Sequence, residues 1–314
     1  MSVLVTGAQG LIGCAIVEQL LDRGEEVAVL SRSDLVGSRF ESEGLRERCT
    51  LLSAELDALG PVFAERSPRT VFHLAAQTQV GEANSAPLAT WETNVRGTYM
   101  LLEAVREHAP EARVVVASSD KAYGAHDELP YREDFALKPA YPYDVSKAAT
   151  DMIARSYAAT YDMPVAVTRL ANVYGPGDVN WARLIPDSAR ALVRGERPVI
   201  RSDGSPERDY LYVEDAAAAY LAVADSLEDP ALRGRAWNAG SGEPRSVLEV
   251  VTRLIEVSGR SVEPDIQGSG VPHGEIDRQF LDSTAIRTEL GWEPQWELER
   301  GLRVAWEWYE RTLG

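Results

Sequence analysis

Sulfur and imidazole are scarce in this chain: its 314 residues hold two cysteines and four histidines. Cys14 and Cys49 cannot make a framework of several bridges, and no Cys or His cluster has metal-ligand spacing. Neither a disulfide scaffold nor a metal site is expected. Long apolar runs are missing too. No stretch approaches the ~20 residues that cross a bilayer, and Met1-Ser2-Val3-Leu4-Val5 has no basic residue ahead of its apolar ones. A cytoplasmic protein without a membrane partner is expected on that basis. Positive charge is in deficit, with 32 basic against 49 acidic residues, a formal net charge of −17 and a pI near 4.8. That balance opposes non-specific binding to nucleic acid or anionic lipid. An anionic ligand would need a local cluster of arginines working against the global field.

What is present fits a globular protein with one large unit and a smaller companion. Val3-Leu4-Val5 reads as a buried strand that runs into Thr6-Gly7-Ala8-Gln9-Gly10-Leu11-Ile12-Gly13. A helical pattern follows, with Ile12, Ile16 and Leu20 on one side, then a second apolar run, Val27-Ala28-Val29-Leu30. Strand, glycine turn, helix and strand open a doubly wound parallel α/β sheet. The glycines allow a tight turn and close backbone approach to a pyrophosphate at the helix N-terminus. Cys14 falls on that helix as a small buried hydrophobe. Leu51-Leu52 with Glu55-Leu56 fit a third strand, and Val71 to Leu74 a fourth. Arg113-Val114-Val115-Val116-Ala117 is β-branched in the manner of a central parallel strand. Ligands collect at the carboxyl ends of such strands, which puts Ser119, Asp120 and Lys121 toward a cofactor. Tyr143 and Lys147 are four apart, on one helical face, where an ammonium would lower a phenol's pKa enough for acid/base work near neutrality. Ser246 is a candidate helix N-cap with Glu249 three residues on. The aromatic C-terminal stretch with Trp306, Trp308 and Tyr309 is expected as a packed cap.

The Gly7-x-x-Gly10-x-x-Gly13 turn, Ser119, Tyr143-x-x-x-Lys147, Arg169-x-x-Asn172-x-Tyr174-Gly175-Pro176 and Arg208-Asp209-Tyr210-Leu211-Tyr212-Val213 follow one another along nearly the whole chain. In this order they resemble the extended short-chain dehydrogenase/reductase family, in its NAD-dependent epimerase/dehydratase group. The resemblance implies a Rossmann-type sheet with a smaller C-terminal α+β unit for a nucleotide-diphosphate sugar. The implied division gives residues 1–172 plus about 209–238 to the dinucleotide, and about 173–208 plus 239–314 to the substrate.

Cofactor contacts implied by the family fall on Gly7, Gln9, Gly10, Leu11, Ile12 and Gly13, on Glu55 and Leu56 near the adenine, and on Leu74, Ala75, Ala76 and Gln77. Tyr143 and Lys147 complete them. At the end of strand two, Ser31, Arg32 and Ser33 stand where a ribose-binding acid is usual, which tilts the choice toward NADP over NAD, although Asp34 could reach a ribose. His73 reads equally well as a satisfied core histidine, and Asn94 as a support for the sheet. Gln77, Ser119, Asn172, Arg208 and Arg278 are the implied substrate contacts, the arginines suiting phosphate oxygens. A homodimer is implied through the helix carrying Tyr143 and the one after Asn94, with Ala148, Ala149 and Met152 as an apolar flank.

Asp120-Lys121 and Pro142-Tyr143-Asp144-Val145-Ser146-Lys147 resemble CDP-glucose 4,6-dehydratases, while the Arg208 element has the general form, so CDP is not implied. The expected activity is an NDP-hexose 4,6-dehydratase with a tightly bound, recycled cofactor. Tyr143 would be the base at the C4 hydroxyl, Ser119 its positioner and Asp120 the acid at C6. Lys121 stands where the commoner motif has a glutamate as C5 base, and a lysine serves there only when neutral. A 4-epimerase or 4-ketoreductase needs only Ser119, Tyr143 and Lys147. A non-catalytic NAD(P)-sensing protein is the remaining alternative.

Overall fold

The protein's structure, a computed structural model, describes residues 2–31, 38–55, 58–271 and 276–314. Its main sheet takes β1 (Val3–Thr6), β2 (Val27–Leu30), β3 (Thr50–Leu52), β4 (Thr70–His73), β5 (Arg113–Ala117) and β6 (Val165–Leu170). The short strands β7 (Asn172–Tyr174), β8 (Val199–Ile200) and β9 (Glu207–Tyr212) come next. After them run β10 (Ala236–Ala239), β11 (Pro244–Ser246), β12 (Asp265–Ile266) and β13 (Arg278–Gln279). The seven-stranded order is β10-β6-β5-β4-β1-β2-β3, parallel throughout.

Both faces of this sheet are covered, which explains its unbroken apolar strands. Val3, Val5, Val29 and Val115 pack toward the helices Leu11–Asp22 and Val213–Ser226. The alternate residues Leu4, Ala28, Val114 and Val116 pack toward Phe63, Leu101, Val105 and Ala154 on the other face. A strand's period of two thus feeds two cores from one short run. Strand order reverses between β1 and β4, so the chain leaves their carboxyl ends in opposite directions and opens a crevice there. The third strand is shorter than expected. It ends at Leu52, with Thr50 and Leu51 exposed on an edge strand that has one neighbour, and Glu55 lies in the loop beyond. Leu56 lies outside the described residues.

A second sheet, ordered β11-β9-β13 with β7 beside β9, stands over the carboxyl ends of the first. Three helices back it: Leu184–Val193, Val247–Ser258 and Leu298–Leu313. Ser246 caps the second of these as expected, its hydroxyl accepting from the Glu249 N–H at 3.1 Å. Trp306, Trp308 and Tyr309 are buried, as a packed cap requires. Among the described residues no helix is long and apolar enough to cross a membrane.

Candidate active site

The glycine turn after β1 is tight because nothing larger fits. Gly7 has φ +70°, and a Cβ there would stand 2.7 Å from the Ala75 nitrogen. At Gly13 it would meet the Gly7 oxygen at 2.2 Å. Gly10 starts the helix Leu11–Asp22 with no side-chain cap, so its first-turn N–H groups face the crevice without a protein side chain to satisfy them. Gln9 is buried, and Leu11 and Ile12 pack against the core. These features fit a dinucleotide's pyrophosphate. Ser31 closes β2 with its N–H on the Leu52 carbonyl at 3.1 Å; Arg32, Ser33 and Asp34 lie outside the described residues.

Leu74 and Ala75 turn away from β4, the Ala75 N–H bonding Thr6 Oγ1 at 3.2 Å. His73 is bonded at both ring nitrogens, to Thr6 Oγ1 at 2.8 Å and Thr98 Oγ1 at 3.2 Å. Burial, with Lys147 nearby, lowers its pKa to about 3, so it is a neutral core histidine. Asn94 sits in a π-turn, Glu92–Arg96, and clamps the loop after β4 to the helix Pro142–Tyr161. Its Oδ1 accepts from the Gln77 N–H at 2.7 Å, and its Nδ2 donates to the Gln77 carbonyl at 3.0 Å and to Ser146 Oγ at 2.9 Å. The Gln77 side chain donates to Glu82 at 2.8 Å, leaving its buried Oε1 unpaired. Ala76 lines a small cavity with Ala75, Asn94, Ala117 and Lys147.

Ser119 follows β5 as the cap of a 3-10 turn, Asp120–Tyr123. Its hydroxyl accepts from the Lys121 N–H at 3.2 Å and donates to Asp120 Oδ1 at 3.0 Å. The Asp120 side chain is 4% exposed, and its Oδ2 has no partner. Burial pushes this carboxyl up to about 6, against the pull of Lys121, the Ser119 hydroxyl and Arg208. Tyr143 and Lys147 come from the helix Pro142–Tyr161, started by Pro142 in its first turn. Ser118 Oγ donates to the Lys147 carbonyl at 3.1 Å, bolting that helix to the end of β5.

The ammonium does not act as expected on the phenol. Lys147 Nζ donates to the Ala117 carbonyl at 2.9 Å, and burial lowers its pKa to about 8. Tyr143 is instead pushed up to about 12 by burial; the opposing cation is Arg183, with a smaller lowering effect from the Ser119 hydroxyl, while Asp120 adds to the rise. Desolvation outweighs every partner the phenol has, so the helical spacing alone did not predict its acidity. Arg183 went unnoticed in the sequence. It precedes the helix Leu184–Val193 and is held by the buried Asp178 at 3.1 Å. A lone arginine at a loop end carries no spacing signal.

The second sheet supplies the far wall. Arg208 on β9 is buried and donates to the Glu207 and Asp277 carbonyls at 2.9 and 3.0 Å, and its charge reaches Asp120. Asn172, at the start of β7, approaches the Asp209 carbonyl at 3.5 Å. Arg278 is exposed and paired with Glu207 at 2.7 Å. It lines a cavity of about 490 Å³ with His126, Asp127, Tyr141 and Asp144. Ser119, Asp120, Tyr143 and Arg208 therefore act on one another, Lys147 ties the helix of Tyr143 to the end of β5, and Arg278 lines a cavity that none of those four lines. Among the described residues no cluster of His, Cys, Asp and Glu could hold a metal.

Residues 3–240 match the model of the NAD dependent epimerase/dehydratase family. The chain belongs to that family. A dTDP-glucose 4,6-dehydratase of Shigella flexneri is 31% identical, over 98% of this chain and 92% of its own. A UDP-glucose 4-epimerase of Thermotoga maritima, solved with UDP-glucose, is 30% identical, with a TM-score of 0.89 over the whole of both chains. A dTDP-glucose 4,6-dehydratase of Streptomyces venezuelae, solved with NAD, is also 30% identical. Its TM-score is 0.88, over 99% of this chain and 97% of the other. Overall likeness to the family is thus shared between two activities, and the site residues must separate them.

Proposed function

We propose that the protein is an NDP-hexose 4,6-dehydratase that holds and recycles a nicotinamide cofactor. The observation that carries this reading is Asp120: a buried carboxyl, raised to about 6, bonded to Ser119 and keeping one oxygen unpaired. An epimerase has no use for such an acid, whereas water elimination needs a proton for the departing oxygen.

A nicotinamide dinucleotide held at the Gly7, Gly10 and Gly13 turn and by Lys147 would supply reversible hydride acceptance, from C4 and back to C6. The chain's own groups handle the protons. Tyr143 takes the C4 hydroxyl proton while Ser119 holds that oxygen, a role for which its phenol, raised to about 12 in the chain alone, must be brought down by the positive charge that an oxidised nicotinamide would add beside it. The resulting ketone acidifies the C5 proton, which Lys121 takes as a neutral amine; once hydride has been returned to C6, Lys121 gives a solvent-exchanged proton back to C5. Asp120 gives its proton to the C6 oxygen, which leaves as water. Lys147 orients the catalytic helix against β5 and holds the nicotinamide ribose. Arg208 and Arg278 of the smaller unit bind the sugar nucleotide together with Gln77 and Asn172 of the dinucleotide unit, the two units being divided as the motifs suggest. The residues that would choose NADP over NAD are Ser31, Arg32 and Ser33. Supporting a second copy of the chain, Leu88 and Trp91 on the helix Pro87–Trp91 and Val145 and Met152 on the helix Pro142–Tyr161 are exposed, and these two helices pack together. Ala148, expected on that flank, is buried within the protomer instead.

The runner-up, a 4-epimerase, is favoured by one feature: Lys121 replaces the acidic base of the commoner dehydratase motif. The variant Asp120→Asn separates the two. It should still oxidise C4, visible as bound reduced cofactor, yet lose water elimination by ~10²-fold or more. Undiminished dehydration would remove Asp120 from its role, and an unaffected, isobaric product would leave the epimerase.

A further inference from the structure

Gln279, at the end of β13, is fully buried, and neither its amide oxygen nor its amide nitrogen has a hydrogen-bond partner. A buried amide bonded to nothing is unfavourable, and native structures hold few of them. Its surroundings indicate what it awaits. β13 runs parallel to β9, with Gln279 in register with Arg208. Residues in register on parallel strands project from the same face. The preceding pair in register, Arg278 and Glu207, form an ion pair at 2.7 Å on exposed side chains, and so occupy the opposite face. Gln279 therefore shares the face of Arg208, whose charge acts on Asp120 and Tyr131. Just past β13 the chain is tied to the Tyr131 loop, with the Tyr131 N–H on the Phe280 carbonyl at 2.9 Å. Tyr131 in turn donates to the Gly124 carbonyl at 2.7 Å, immediately after the turn bearing Asp120. The unpaired amide and the unpaired Asp120 oxygen thus lie on the same side of Arg208's strand.

We infer that the Gln279 amide recognises the sugar of the substrate and selects an uncharged hexose with free neighbouring hydroxyls. A primary amide presents one acceptor and one donor side by side, and only a partner offering both satisfies it. Two adjacent hydroxyls do so: one donates to Oε1, the other accepts from Nε2. The amide is assigned to C6, whose oxygen Asp120 would protonate, and a uronate carboxylate there offers acceptors alone and leaves Oε1 unpaired. This inference rests on the sugar-nucleotide reading of the site, and its test distinguishes the two.

The test is calorimetric titration of the purified full-length protein with CDP-, dTDP-, GDP- and UDP-glucose, the matching free nucleoside diphosphates, and UDP-glucuronate. Gln279→Leu and the near-isosteric Gln279→Met are compared with wild type, and each protein is melted without ligand. Both variants should weaken the preferred NDP-glucose ~10-fold or more while binding the free diphosphate within about twofold of wild type. Their unliganded melting points should equal or exceed wild type by a few degrees, because an unpaired amide has been removed. Wild type should bind UDP-glucuronate ~10-fold or more weakly than UDP-glucose. Unchanged affinity for NDP-glucose in both variants would overturn the inference alone. So would equal losses for sugar nucleotide and free diphosphate, a marked fall in melting point with binding intact, or equal affinity for uronate and glucose. If wild type bound no NDP-glucose at all, the sugar-nucleotide reading would fall and this inference with it.

Discussion

Two groups of buried polar side chains stand within one turn of each other, and they are built on opposite terms. In the first, Arg169 donates to both oxygens of Asp151, at 2.8 and 3.1 Å, and to the Tyr123 hydroxyl at 2.8 Å. Tyr123 passes its own proton to Asn238 at 2.7 Å. Both charges are almost wholly buried and both are answered. In the second group, Asp120 keeps an oxygen without a partner and Gln279 a whole amide. Tyr123 ends the turn that Asp120 begins, so the closed group holds the open one in place. A network that satisfies itself can only position; one left incomplete can receive a ligand or hand over a proton.

This contrast can be broken from either side. The largest effect should come from Arg169→Met, which leaves the buried Asp151 carboxylate with the half-exposed Arg155, at 3.7 Å, in place of two charged hydrogen bonds. Denaturant unfolding should show a loss of ~3–5 kcal/mol, the usual cost of removing one partner of a buried pair. A loss near zero would mean that the closed network does not support the turn.

Asp120→Asn should act in the other direction, and with pH. The Asp120 carboxyl is raised from 3.8 to about 6 in the folded chain, so the fold favours its protonated form. That contribution is complete below the ordinary carboxylate value and is lost as pH rises through about 6. The asparagine variant has no such loss. It should gain on wild type by up to about 3 kcal/mol between about pH 4 and pH 7, read as the gap between their unfolding free energies. A gap that stays constant over that range would show the carboxyl to be ordinary.

The smallest effect sharpens the comparison from outside it. Ser246→Ala removes a cap whose partners are complete and which touches neither group. It should cost about 1 kcal/mol of stability and leave kcat/KM unchanged. A change in kcat/KM would show that the second sheet is coupled to the chemistry through that helix.

The closed parts were the legible ones. Gly7, Gly10 and Gly13 could be placed because a tight turn between strand and helix demands glycine, and Ser246 because a cap is a local bargain between neighbours. Ser119, Tyr143 and Lys147 could be proposed because the chemistry fixes their types and order. The direction of Lys147 was not legible. Spacing put it on the face of Tyr143, but its ammonium donates a hydrogen bond to the Ala117 carbonyl, 30 residues away in sequence. Arg183 and Gln279 were invisible for a related reason. Each matters through neighbours supplied by other strands and loops, and neither stands in a pattern that a one-dimensional reading can count. β3 ended early because an edge strand has one partner, a fact about the sheet and not about Leu51 or Leu52.

The central claim is that an acid has been set aside to expel the C6 hydroxyl. Conversion of the preferred NDP-hexose in heavy water, followed by mass spectrometry of the product, tests it most directly. The account predicts a product lighter by one water and carrying deuterium at C5. A product of unchanged composition, with no deuterium there, would contradict it.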